Sequence, residues 1–191
     1  SAPYSYLDDV GEISPIAFSS EQQEDIRAAL AEVEKYINVK FVEVIEDKES
    51  VGTIRFAMNT ITDEAGNYRE GIAATADPVG TVPRSGDVWF NKWFVKANFS
   101  SGLVPMWVGG AETPGSQTGV GDVTILYHEI FHSLGIEHPN DNPDKPFPAE
   151  KNFREYSVMA GGFSVDGASS YYVDGKDYAI ASTPMAYDIA A

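Results

Sequence analysis

Residues 128–138 read H-E-x-x-H-x-x-G-x-x-H and place three imidazoles and one carboxylate, His128, His132, His138 and Glu129, within eleven positions. Those residue types at that spacing suit a zinc centre with a general base beside it. On a helix, His128 and His132 stand about 6 Å apart along the axis and roughly 40° apart around it. Both rings can then reach one ion at about 2.0–2.1 Å. If the helix continued, His138 would sit about 15 Å along the axis from His128. Gly135 offers the break, because glycine adopts a left-handed conformation readily and can turn the chain so that His138 completes the set. Three neutral imidazoles leave a fourth tetrahedral position free, which marks a catalytic rather than a structural zinc. Glu129 adjoins the first ligand without being one. It is placed to take a proton from water acidified by the metal, so that hydroxide can attack a polarised carbonyl. The chemistry implied is metal-assisted amide hydrolysis.

The short H-E-x-x-H core also arises by chance in unrelated helices. Here the third histidine and the glycine stand at the required offsets, and the chain's three histidines are all ligand candidates.

The elements that must position these residues are legible around them. Val123, Leu126, Tyr127, Ile130, Phe131 and Leu134 recur at helical spacing, and Asp122 is a suitable N-cap. An earlier helix starts at Ser19 or Ser20, with Gln22 or Gln23 closing a capping box and Glu21, Glu24 and Asp25 at the positive end of its dipole. Ile26, Leu30, Val33 and Ile37 form its buried stripe. Residues 39–45 and 53–58 read as strands, the second with Ile54, Phe56 and Met58 alternating, and a charged turn over residues 46–50 lies between them. Residues 71–77 run extended until Pro78, and residues 87–91 form another strand. The first 18 residues, with Pro3 and Pro15, read as an arm or loop.

Residues 109–121 hold five glycines and a proline with no Lys-Ser/Thr after them, so a phosphate-binding loop is excluded and a rim loop is expected. Oxygen donors cluster at Asn140, Asp141, Asn142 and Asp144, where Ca2+ could bind. They lack the spacing of an EF-hand, and calcium is not expected. Residues 161–166 echo a calcium-binding repeat once, and a single copy cannot stack.

The chain has 191 residues, 43% of them hydrophobic and 12% aromatic, enough for one domain over residues 1–191 with a real core. It has no cysteine, so neither a disulfide nor a thiolate metal site can form. Thirteen basic against 29 acidic residues leave a net charge of −16, which disfavours nucleic acid and anionic membranes as partners. No run approaches the roughly 18 apolar residues of a membrane span, and the start lacks the basic and apolar regions of a signal peptide. The chain begins at Ser1 and stops shortly after Pro184 opens a helical stretch, so a mature or excised domain is expected.

The eleven-residue signature resembles that of the metzincin zinc endopeptidases, whose second mark, a methionine in a tight turn, is matched by Met159 in Tyr156-Ser157-Val158-Met159. Within that clan the chain is similar to the serralysin catalytic domain. His138-Pro139-Asn140-Asp141 stands where serralysins have His-Pro-Gly-Asp, and residues 183–191 resemble the start of their closing helix. The resemblance implies an α+β fold. A twisted mixed β-sheet and two long helices would form an upper subdomain to about residue 135. A small irregular lower subdomain would follow, with zinc in the cleft between. It implies a secreted, monomeric zinc endopeptidase acting on proteins or peptides, with a proteinaceous inhibitor as a further partner. Substrate would add as a β-strand along the edge at Ala73, Ala74 and Thr75. A non-proteolytic zinc hydrolase and a weakly catalytic peptide-binding module are the alternatives; Glu129 argues against the second. One departure is clear. Serralysins place a tyrosine two residues after the turn methionine, where this chain has Gly161, so the zinc is expected to hold three histidines and water only. A tyrosine from Tyr171, Tyr172 or Tyr178 is the alternative source of a further ligand.

Overall fold

The computed structural model describes residues 15–47, 50–61, 72–91, 105–106, 118–119, 122–139, 141, 148, 152, 156–160, 172–173, 176–177, 184–185 and 188. Helix α1 (Ser20–Val33) opens on a capping box: the Gln22 N–H donates to Ser19 Oγ at 3.2 Å, and the Ser19 N–H donates to Gln22 Oε1 at 2.8 Å. Two of the helix's orphan donors are thereby satisfied. Ile26, Ala29 and Val33 are buried along one side, with Leu30 and Ile37 packed at the margin.

Strands β1 (Arg55–Asn59), β2 (Ala74–Ala76) and β3 (Asp87–Asn91) form a mixed sheet in the order β1-β3-β2. β1 runs parallel to β3, and β2 antiparallel to it. β3 is central: Val88 and Phe90 on one face are 0% and 1% exposed, and Asp87 and Asn91 on the other are 1% and 0% exposed. At its start, Asp87 is in register with Arg55, and the two pair at 2.6 Å with both side chains buried. Arg55 Nη2–H also donates to the Pro83 carbonyl at 2.6 Å. Burial alone pushes the Asp87 carboxyl up to about 7, and the guanidinium beside it acts the other way, favouring the carboxylate. At the far end of β3, Asn91 donates through its N–H to Ala73 at 2.8 Å and through Nδ2 to the Ile72 carbonyl at 3.0 Å. These bonds fix the chain as it enters β2.

Two small ladders follow: β4 (Pro105–Met106) with β5 (Thr118–Gly119), and β6 (Tyr172–Val173) with β7 (Lys176–Asp177). Helix α2 (Asp122–Ser133) packs against α1, β2 and β3. Leu126, Tyr127, Ile130 and Phe131 join the buried residues of α1 and the sheet, together with Val158 and Met159, in one core.

Several expectations are corrected. Residues 39–45 pair with no strand among the described residues. Apolar residues on both faces suggest a strand, yet Val42 is 80% and Ile45 92% exposed, and the Phe41 N–H donates at 2.7 Å to Glu34 Oε1 rather than to a ladder. The helices have 14 and 12 residues, ordinary rather than long. Asp122 is the first helical residue, one position inside the expected cap. The loop expected over residues 109–121 contains β5. The antiparallel bridge of Ile16 to Met58, by contrast, is in keeping with the expected N-terminal arm.

Candidate metal centre

The apolar face of α2 decides where its histidines go. With Leu126, Tyr127, Ile130 and Phe131 turned into the core, His128 and His132 share the less buried side. The helix ends at Ser133 in a Schellman turn. The Ile136 N–H donates to the Phe131 carbonyl and the Gly135 N–H to the His132 carbonyl, each at 2.9 Å, with Gly135 at φ +91°. The apolar contact that usually accompanies such a turn is available, since Ile136 packs against the core that contains Phe131. Beyond the turn, His138 comes back to the other two rings.

The three Nε2 atoms stand 3.1, 3.1 and 3.2 Å from one another. Each Nδ1 faces outward onto an acceptor at 2.8 Å: the Val158 carbonyl for His128, the Ile136 carbonyl for His132, and Asp141 Oδ2 for His138. A carbonyl cannot donate, so these Nδ1 atoms carry the protons and the Nε2 atoms present lone pairs. Three lone pairs converging on one point repel one another unless a cation lies between them. A tetrahedral ion bonded at about 2.0–2.1 Å would separate its nitrogens by about 3.3 Å, close to the spacing found. The residues therefore fit zinc, and the outward bonds set tautomer and ring orientation. Burial, foremost, keeps the His132 imidazole below its ordinary pKa, which favours the neutral form a metal needs. Among the described residues this is the one cluster of three or more metal-binding side chains.

Glu129 is 5% exposed, and its Oε2 has no hydrogen-bond partner among the described residues. Burial pushes its carboxyl up to about 8. Glu129 directly follows the candidate ligand His128 in α2, and a buried carboxyl with a perturbed pKa next to such a cluster marks a functional group.

Residues 157–160 make a tight turn closed by Ala160 N–H to the Ser157 carbonyl at 3.2 Å, with Met159 2% exposed inside it. The sequence reading did not single out Asp188, yet its buried carboxylate holds this turn. Oδ1 accepts from Ser157 Oγ at 2.5 Å, and Oδ2 accepts from the Val158 N–H at 3.1 Å and the Met185 N–H at 2.8 Å. Val158 is thus fixed on its N–H side while its carbonyl orients His128. No local pattern signals this, because the partners lie about 30 residues apart. Asp141, named from sequence only as an oxygen donor and in the His138-Pro139-Asn140-Asp141 stretch, is readable as a partner from its position three residues after His138. Of the suggested substrate strand, Ala73 and Ala74 are half-buried and Thr75 is exposed; β2 has β3 on one side and no other partner among the described residues. Gly161, Tyr171 and Tyr178, the side chain of Tyr172, and Asn140, Asn142 and Asp144 with the calcium suggestion lie outside the described residues.

A Cβ built on Gly135 meets nothing within 4 Å, so substitution there meets backbone strain and no clash. Gly135→Val is expected to cost about 1–3 kcal/mol and to weaken zinc binding, because a β-branched residue resists positive φ and shifts both the Ile136 carbonyl and His138. Gly135→Asn should be milder. Competition against a chromophoric chelator reads this; affinity unchanged within about twofold for the valine variant would show the turn does not control the ligand set.

Fold and site together define a metzincin-type zinc peptidase. The matrixin family profile matches residues 10–158, which takes in the three histidines and Glu129, and the chain belongs to that family of metallopeptidases. The family uses a catalytic zinc and acts on proteins or peptides, and its members are commonly extracellular. No helix among the described residues is long and apolar enough to cross a membrane.

Proposed function

We propose that this protein is a secreted zinc endopeptidase of serralysin-like type, with His128, His132 and His138 holding the metal and Glu129 acting as general base and then acid. The observation that carries the reading is the convergence of three Nε2 lone pairs at 3.1–3.2 Å, with the buried carboxylate of Glu129 on the residue that follows His128 in α2. When bound, zinc acidifies water and polarises a carbonyl. The chain's own groups do the rest. The outward Nδ1–H bonds fix the tautomer and ring orientation, so that each imidazole presents its Nε2 lone pair to the common point. Glu129 takes a proton during attack and returns it to the leaving amine; burial raises its proton affinity, and a cation held by the neighbouring histidines would act the other way, favouring the carboxylate that can accept. Met159 supports the His128 side of the ligand shell through the turn it occupies. Ala73, Ala74 and Thr75 offer an extended edge along which a peptide can pair. The serralysin-like assignment draws on His138-Pro139-Asn140-Asp141 and on residues 183–191. We read residues 1–191 as a single, monomeric catalytic domain.

The test is cleavage of an internally quenched peptide library. Chelation should abolish turnover and one equivalent of zinc should restore it. Zinc binding without hydrolysis of any peptide would sink the endopeptidase reading, and hydrolysis of non-peptide esters alone would point to a different hydrolase.

A further inference from the structure

Two of the three candidate ligands are oriented by main chain: His128 by the Val158 carbonyl, with Val158 0% exposed, and His132 by the Ile136 carbonyl in the Schellman turn. No substitution can remove either acceptor. His138 differs in every respect. It lies beyond the helix, its side chain is 43% exposed, and the partner of its Nδ1–H is a side chain, Asp141, itself 52% exposed. The contact is local and doubly tied: Asp141 Oδ2 accepts from His138 Nδ1–H at 2.8 Å and from the His138 main-chain N–H at 3.2 Å, while the Asp141 N–H donates back to the His138 carbonyl at 3.0 Å. One carboxylate oxygen thus ties Asp141 to both N–H groups of His138 and aims the third imidazole.

We propose that Asp141 is a positioning residue that controls zinc retention by holding His138 in its ligating orientation. The inference rests on the three-histidine metal site proposed above. A carboxylate on the far nitrogen makes an imidazole a more basic donor than a carbonyl does, and it offsets part of a dication's charge. His138 is the ligand held by the most exposed contact, so it is the ligand whose release begins zinc loss. Removing such a carboxylate from a metal-binding histidine typically costs about 10–100-fold in metal affinity. An exposed pair adds little to folding stability, so the effect should appear in metal binding and leave the metal-free fold nearly unchanged.

The experiment measures zinc affinity of the full chain by chelator competition for wild type, Asp141→Asn and Asp141→Ala, alongside thermal unfolding of the metal-free forms. Asparagine keeps an oxygen to accept both N–H groups and removes the charge; alanine removes both. The expected result is about tenfold weaker binding for Asp141→Asn and up to about 100-fold for Asp141→Ala, with metal-free midpoints within about 2 °C of wild type. Affinities within about twofold of wild type for both variants would overturn the role of Asp141 and leave the zinc site standing. A wild-type protein that binds no zinc would overturn both readings. A metal-free midpoint that falls in step with affinity would assign Asp141 a purely structural role.

Discussion

Glu129→Gln should retain zinc and lose about 10²–10⁴-fold in kcat, the range general acid–base assistance supplies. Glutamine has nearly the same shape, so the 5%-exposed site can accept it without a cavity. What changes is the proton inventory. Oε2 is a buried acceptor with no partner among the described residues, and burial has raised its proton affinity. An amide at the same position presents either a carbonyl of negligible basicity or an N–H that cannot accept a proton. Retained zinc separates this from ligand loss, because Glu129 contributes no nitrogen or oxygen to the metal-binding cluster. Zinc content by mass spectrometry and kcat on one quenched peptide decide the matter. Near-normal turnover with a full complement of zinc would falsify the general-base role.

The second large effect lies away from the chemistry. Asp87→Ala should destabilise the protein by about 3–5 kcal/mol, because it leaves the Arg55 guanidinium buried without its counter-charge. The ion pair spans β1 and β3 at their first residues, and both side chains are almost fully buried, at 6% and 1% exposed. Little solvent is available to screen or replace the lost partner. The paired replacement Arg55→Met with Asp87→Leu should recover most of the loss, since a buried pair is often worth no more than apolar residues of similar volume. Urea unfolding midpoints of the singles and the double close the cycle. A single-variant cost below about 1 kcal/mol would mean the pair is hydrated in solution. The sheet carries β2 next to α2, so a weakened β1–β3 register should also loosen the edge proposed to receive substrate.

Much was legible in the residues themselves wherever cause and effect lie close along the chain. The capping box at Ser19 and Gln22, the helix through Leu126, Ile130 and Phe131, and the alternating strand at Phe56 and Met58 are local: periodicity and turn chemistry within a few residues determine them. The three metal-binding histidines and Gly135 were readable for the same reason, since eleven residues contain both the ligands and the break that brings them together. What tertiary structure decided is the partner of each group. Residues 39–45 have the composition of a strand, and nothing in their sequence says that Glu34 will take the Phe41 N–H or that Val42 and Ile45 will face outward. Asp87 and Arg55 are ordinary charges until parallel pairing buries them opposite one another. The outward acceptors that turn three imidazoles into three converging lone pairs come from Val158, Ile136 and Asp141, and the turn at Val158 hangs on Asp188, 30 residues further on. Such contacts depend on the folded path of the chain, because a hydrogen bond between distant residues leaves no periodicity in either segment it joins.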